Sequence, residues 1–274
     1  MARDLTEGWI LAGGTPVFLR SAEPAPDAPA VLHLHGFAIS GSYLVPTAQE
    51  LADRQRTYVP DLPGFGRSPR AGRALTIDGL ADAAADVLDA VGVERATVLG
   101  NSLGCPVLAA FAMRHPDRIE RAVMVSPAGG RHNQPLLRAV GQLAADAPRE
   151  PVSMAAVAVP DYLQFGMIEA LRLFLAMTRF DAFGALMAMD VPLLAVLGTR
   201  DPLLPPSTRV RQVARTRSAP TTVAVIKGAA HAINFSHPRE LALLVDAFVS
   251  DRAPDRGSID PALAPIGVLA RSVE

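Results

Sequence analysis

Half of the 274 residues are hydrophobic, and 26 basic side chains face 27 acidic ones, for a formal net charge of -1 and a pI near 6.6. That balance supplies no electrostatic footprint for a nucleic acid or an anionic membrane, and the length suits one large α/β domain or two small ones. The single cysteine, Cys105, excludes an internal disulfide and is compatible with a reducing compartment, and zinc-ligand spacings are absent from the sequence.

The opening Met1 to Glu7 mixes charges of both signs and has no apolar signal-peptide core, and no stretch approaches a membrane span in length. A cytoplasmic protein is expected. Trp9 to Arg20, with Gly13-Gly14 in its middle, reads as a β-hairpin, followed by a Pro/Ala loop from Ala22 to Pro29. Ala30 to His35 reads as a strand ending at Gly36-Phe37-Ala38. His33 and His35 share a strand face with no third ligand nearby, so no metal site is expected. The His35-Gly36-Phe37 turn instead offers the Phe37 N–H to a pocket at the strand's C-terminal end, with His35 supporting the loop.

Ser42 to Arg54 is an expected helix and Thr57 to Pro60 a short strand. Asp61-Leu62-Pro63-Gly64-Phe65-Gly66-Arg67-Ser68 is a specified loop, read as a structural turn anchored by Asp61 and Arg67. Leu75 to Val91 has helical periodicity, with Asp78, Asp82, Asp86 and Asp89 on its exposed face.

Ala96 to Gly104 reads as a buried strand running into a sharp turn with Ser102 at its tip, and an apolar helix from Cys105 through Arg114 follows. The turn matches G-x-S-x-G. Such a turn needs glycines two residues either side of the serine, because side chains there collide when its Oγ projects above the sheet. The helix beginning beside Ser102 points N–H groups and the positive end of its dipole at a developing anion. Alone, the pattern also suits a glycine-rich strand-to-helix turn with an exposed serine.

Ile119 to Val125 is a further strand, and the alternation to this point is that of parallel βαβ units. From Ala128 the pattern turns helical, with helices expected near Gln134–Ala147, Pro151–Val159, Tyr162–Thr178 and Phe180–Met189. Five of eight methionines fall here. They read as core filling or as the apolar lining of a helical cap, with Met154, Met167 and Met177 as candidate substrate contacts. Arg172 and Arg179 read as surface residues.

The strand rhythm resumes at Val191 to Gly198 and ends at Asp201. Arg209 to Arg217 reads as a solvated basic helix face, Thr221 to Ile226 as a strand, and Lys227 to Phe235 as a loop holding His231. Arg239 to Val249 is an amphipathic helix, and a loosely held tail is expected beyond Asp251.

Together His35-Gly36-Phe37, the Asp61–Ser68 loop, the Gly100-Asn101-Ser102-Leu103-Gly104 elbow, Asp201 and His231 resemble the α/β-hydrolase superfamily over residues 9 to 250, in its order of serine, acid and histidine. The resemblance implies a mostly parallel central sheet flanked by helices, with a core of 1–127 and 190–250, a helical cap at 128–189 and a tail at 251–274. It makes Ser102 the nucleophile, His231 its base, Asp201 the orienting acid, and the Phe37 and Leu103 N–H groups the oxyanion donors. His237 is the competing histidine. His115 and His132 lack a partner pattern, and Ser126-Pro127 offers no carboxylate at the alternative acid position.

The activity implied is hydrolysis of a small to medium hydrophobic ester or lactone through an acyl-enzyme, with no metal or organic cofactor and no nucleic acid or membrane partner; a homodimer stays open. Members using an aspartate nucleophile are not expected to share its chemistry. Meta-cleavage-product hydrolases, which cut a carbon-carbon bond in vinylogous 1,5-diketones, share the Gly-Asn-Ser elbow and helical cap, but their usual Trp after the histidine is Ala232 here. Cofactor-free perhydrolases and haloperoxidases share the Phe after the oxyanion-loop glycine, but have Pro where this chain has Ala38. A ligand receptor on the same fold is the non-enzymatic alternative.

Overall fold

The computed structural model describes residues 3–70, 76–128, 130–251 and 266–271. A hairpin of β1 (Thr6–Ala12) and β2 (Thr15–Ala22) leads into β3 (Ala30–Leu34), a 3-10 turn over Gly41–Leu44, α1 (Val45–Leu51) and β4 (Arg56–Pro60). Then follow α2 (Ile77–Ala90), β5 (Ala96–Asn101), α3 (Gly104–Arg114) and β6 (Ile119–Val125). Four helices come next, α4 (Leu136–Asp146), α5 (Val152–Phe165), α6 (Met167–Arg179) and α7 (Ala182–Ala188), before β7 (Leu193–Gly198) and α8 (Ser207–Thr216). The chain closes with β8 (Thr221–Ile226), α9 (Ile233–Ser236), α10 (Pro238–Val249) and β9 (Ile266–Arg271).

One nine-stranded sheet runs β1-β2-β4-β3-β5-β6-β7-β8-β9. The strands from β4 to β8 pair in parallel, and β1, β2 and β9 join antiparallel. Strand order reverses between β3 and β5, and in open α/β sheets such a reversal opens a crevice at the strands' C-terminal ends. β3 and β5 are buried along their whole length because helices cover both faces. Side chains alternate faces accordingly. Leu32, Leu34, Val98, Ala122 and Met124 pack with α2 and α3, whereas Val31, Leu99, Val123, Val125 and Val196 pack with Leu241 and Val245 of α10.

Several expectations shift. The break anticipated near Pro160 is absent: α5 runs through that proline to Phe165 and ends at Gly166, whose φ of 83° suits the left-handed region. A proline deletes one helical hydrogen bond, which the buried anchors Met154, Ala158 and Phe165 on the same helix offset. α7 packs against α3, and its Ala185 and the following Met189 join the same core cluster as Phe165 of α5 and Leu173 and Met177 of α6. Arg217 is no solvated residue: it is buried and donates to the carbonyls of Met189 and Val191 and to Thr221 Oγ1. Beyond Asp251 the expected tail instead contributes β9, which pairs with β8 because that strand's outer edge is otherwise open. Leu75, the first residue of the expected α2 helix, lies outside the described residues.

Candidate active site

The elbow follows from two glycines. A Cβ on Gly100 would sit 2.3 Å from Gly104 O, and one on Gly104 would sit 2.3 Å from Leu34 O. Neither contact is tolerable, so the spacing is dictated by space between β5, α3 and β3. Ser102 itself has φ of 54°, a left-handed conformation that costs a non-glycine residue about 1–2 kcal/mol. Buried Cys105 donates its thiol to Gly100 O at 3.1 Å, and burial pushes that thiol's pKa well up. Asn101 is fixed from both sides, accepting from Tyr43 Oη at 2.5 Å and donating to Val125 O at 3.1 Å.

The neighbouring loop is built around His35. Its Nε2 accepts from Leu62 N at 3.0 Å, so Nδ1 carries the proton and donates to Gly36 O at 3.1 Å. Burial holds its pKa below the ordinary value, and its ring lies 4.6 Å from that of Phe65. His35 thus supports the loop, as its position in the sequence suggests. Ser102 Cβ lies 3.6 Å from where a Gly36 Cβ would stand, and Ala38 has φ of 55°. The N–H groups of Phe37 and Leu103 donate to no other protein atom among the described residues.

Asp61 anchors its loop, but not through the side chain of Arg67. Its Oδ1 accepts from Arg20 Nη1 at 2.8 Å and Gly41 N at 2.9 Å, and its Oδ2 from Arg67 N at 3.0 Å. The Arg67 guanidinium pairs with Glu7 instead. Sequence reading misses Arg20 because its partner lies 41 residues away, in the loop just past another strand.

Asp201, just past β7, and His231, in the loop after β8, meet at the same sheet edge. His231 Nδ1 lies 2.8 Å from Asp201 Oδ2, while Oδ1 accepts from Leu203 N at 2.8 Å. Burial opposes charge on Asp201, but His231 and the hydrogen bonds outweigh it and hold its pKa below the ordinary aspartate value. Burial likewise pushes His231 down, but Asp201 and then Asp146 and Glu150 outweigh it and raise its pKa. Nε2 of His231 is buried and has no hydrogen-bond partner among the described residues, Ser102 included. Catalytic hydrogen bonds in general often tighten only with substrate in place.

The other histidines fall elsewhere. His115 Nε2 lies 2.9 Å from Asp82 Oδ1, a partner the sequence pattern does not reveal, but that carboxylate also binds Arg114 on the outer surface. His237 lies against Ser236 Oγ and His132 near Gln142. His33 is buried without a hydrogen-bond partner among the described residues, and burial lowers its pKa to about 3. Among the described residues no group of three or more His, Cys, Asp or Glu is arranged to hold a metal.

The three methionines do not form one lining. Met154 is buried with Ile39, Tyr43 and Ala232, and Met177 joins the α2–α3 core. Met167 is 87% exposed, on the rim of a cleft of about 650 Å³ beside Ala38, Gly66 and Phe165. A more apolar cavity of about 700 Å³ begins at Cys105 and Pro127 and runs along the sheet between α3, α7 and α8. Ser102, Asp201 and His231 line neither cavity.

Three carboxylates from α4, α5 and the turn between them complete the surroundings, none singled out from the sequence. Asp146 Oδ1 accepts from His231 N at 3.2 Å, Glu150 Oε1 from Ala232 N at 2.5 Å, and Asp161 Oδ2 from Ser40 N at 2.7 Å. Asp146 and Glu150 stand four residues apart, which on a helix reads equally as a solvated face.

This sheet, switch-point crevice and elbow define an α/β-hydrolase fold. A family model described as alpha/beta hydrolase fold matches residues 29–151. The 2-hydroxymuconate semialdehyde hydrolase of Pseudomonas sp. (strain CF600) is 43% identical over 81 residues, 29% of each chain. The pimeloyl-[acyl-carrier protein] methyl ester esterase of Aeromonas hydrophila is 27% identical over 262 residues, 84% of this chain and 98% of the relative. The crystal structure of the enol-lactonase from Burkholderia xenovorans LB400 superposes with a TM-score of 0.72 at 23% identity, covering 89% of this chain and 100% of that one. The chain therefore has the α/β-hydrolase fold and is similar in sequence to members of that superfamily. Among the described residues no helix is long and apolar enough to cross a membrane.

Proposed function

We propose that the protein is a cytoplasmic serine hydrolase that cleaves a small to medium hydrophobic carboxylic ester or lactone through an acyl-enzyme. The observation that carries this reading is the buried Asp201–His231 hydrogen bond of 2.8 Å, which leaves the opposite ring nitrogen free at the edge where Ser102 sits. Ser102 Oγ attacks the carbonyl while His231 Nε2 takes its proton, and Asp201 stabilises the imidazolium. The tetrahedral oxygen receives the Phe37 and Leu103 N–H groups. His231 then returns the proton to the departing alcohol, and water, deprotonated by the same ring, releases the acid.

The 81-residue likeness to a 2-hydroxymuconate semialdehyde hydrolase favours carbon-carbon cleavage as a second reading. A panel of p-nitrophenyl esters, lactones and a coloured dienoate, run with wild type and Ser102→Ala, separates the two. Ester or lactone turnover lost in the variant supports the first reading. Turnover confined to the dienoate overturns it, and ligand response without turnover favours a receptor.

A further inference from the structure

The cap grips the site through backbone, and it does so on both sides of Ser102. On one side, consecutive N–H groups of the turn carrying the base, His231 and Ala232, end on Asp146 and Glu150. On the other, Ser40 N–H ends on Asp161, two residues beyond Ala38, whose φ of 55° needs an external hold. Packing follows the same line: Phe165 stacks on Phe65 with centroids 4.9 Å apart and lies 6.4 Å from Phe37, and Gln164 Nε2 donates to Gly66 O at 2.8 Å. Three carboxyl groups on three different backbone donors, all in site loops, exceed what holding a cap in place requires.

We propose that Asp146, Glu150 and Asp161 are positioning residues: docked from the cap, their oxygens hold the His231 turn and the Phe37–Ser40 turn in working geometry, so that cap docking and site assembly are one event. Asp146 ends α4, Glu150 stands in the turn that joins α4 to α5, and Asp161 stands on α5, so displacing that unit frees both turns together. The proposal rests on reading Ser102, His231 and the Phe37 N–H as reacting machinery. None of the three carboxylates needs to touch substrate.

The test uses full-length 15N-labelled protein carrying Asp146→Ala with Glu150→Ala, or Asp161→Ala, beside Asp146→Asn, Glu150→Gln and Asp161→Asn, which keep an acceptor oxygen. Amide hydrogen exchange is expected to quicken at least ~10-fold at His231 and Ala232 in the first alanine variant and at Ser40 in the second. On a p-nitrophenyl ester, kcat is expected to fall ~10-fold with KM nearly unchanged, and the Asn and Gln variants to recover most of it. Unchanged exchange at these amides overturns the proposal, as does a loss of kcat that the conservative variants fail to recover. Should an alanine variant not fold, the amide shifts of Ser40, His231 and Ala232 in the Asn and Gln series decide: movement supports the clamp and stasis overturns it. Quickened exchange in a protein whose wild type hydrolyses no ester leaves the clamp standing and refutes the proposed activity instead.

Discussion

Gly104→Ala tests whether the elbow is a matter of space. Gly104 has an ordinary helical conformation, so an alanine there carries no backbone penalty and gains helix propensity. Its Cβ, however, would stand 2.3 Å from Leu34 O and 2.9 Å from Leu34 C, so about 0.7 Å of separation is needed to reach the 3.0 Å that real contacts respect. Both obstacles are backbone of β3, which is hydrogen-bonded between β4 and β5 and cannot swing aside like a side-chain tip. Overpacking against such a wall costs ~2–3 kcal/mol, which in a chain of this size lowers Tm by roughly 4–12 °C. The same displacement moves α3 away from the Phe37 turn, so esterase kcat should fall further than stability alone explains. Thermal unfolding and ester hydrolysis are measured beside Gly8→Ala, whose Cβ meets nothing within 4 Å and should change stability by no more than ~0.5 kcal/mol. A Gly104→Ala protein with wild-type Tm and kcat would show that the spacing has another cause.

Asp201→Asn should lower kcat roughly 10³–10⁴-fold in steady-state ester assays. Its single carbonyl oxygen stays with Leu203 N–H, its amide then faces His231 Nδ1, and the ring proton is forced onto Nε2, where it cannot accept from Ser102; near-normal kcat would refute this role. Glu150 has its pKa raised by burial, with Asp146 adding to it, from 4.5 to about 7, so its contribution to stability is full below 4.5 and lost as pH rises through 7. Tm of Glu150→Gln relative to wild type should therefore climb between about pH 5 and about pH 8, and a flat difference contradicts the assignment. Arg20→Met strands the carboxylate of Asp61, which is wholly buried, and should cost ~3–5 kcal/mol in chemical denaturation; a change below ~1 kcal/mol would show that Asp61 finds compensation elsewhere.

Residue types at short range made much of this molecule legible. Buried, mostly apolar runs such as Ala96–Asn101 read as central parallel strands, and Gly100 and Gly104 report their own crowding through the absence of side chains. Order along the chain was enough to nominate Ser102, Asp201 and His231, because each falls just past a strand of one parallel sheet and the C-terminal ends of such strands converge. Pro160 misled for a local reason: breaking strength is intrinsic to proline, whereas its toleration depends on what the far end of the helix packs against.

What the chain by itself determined was therefore the run of parallel strands and the elbow, since periodicity and glycine spacing are local properties. Tertiary structure alone decided which distant groups the buried and half-buried charges meet. Asp146, Glu150 and Asp161 look like any helical surface acids until folding brings each against a backbone N–H that is 85, 82 or 121 residues away. Arg20 and Arg217 look like any surface cation until their partners close over them. A hydrogen bond between distant residues leaves no periodic trace in sequence, because its geometry is set by how the elements stack and not by the spacing within any one of them.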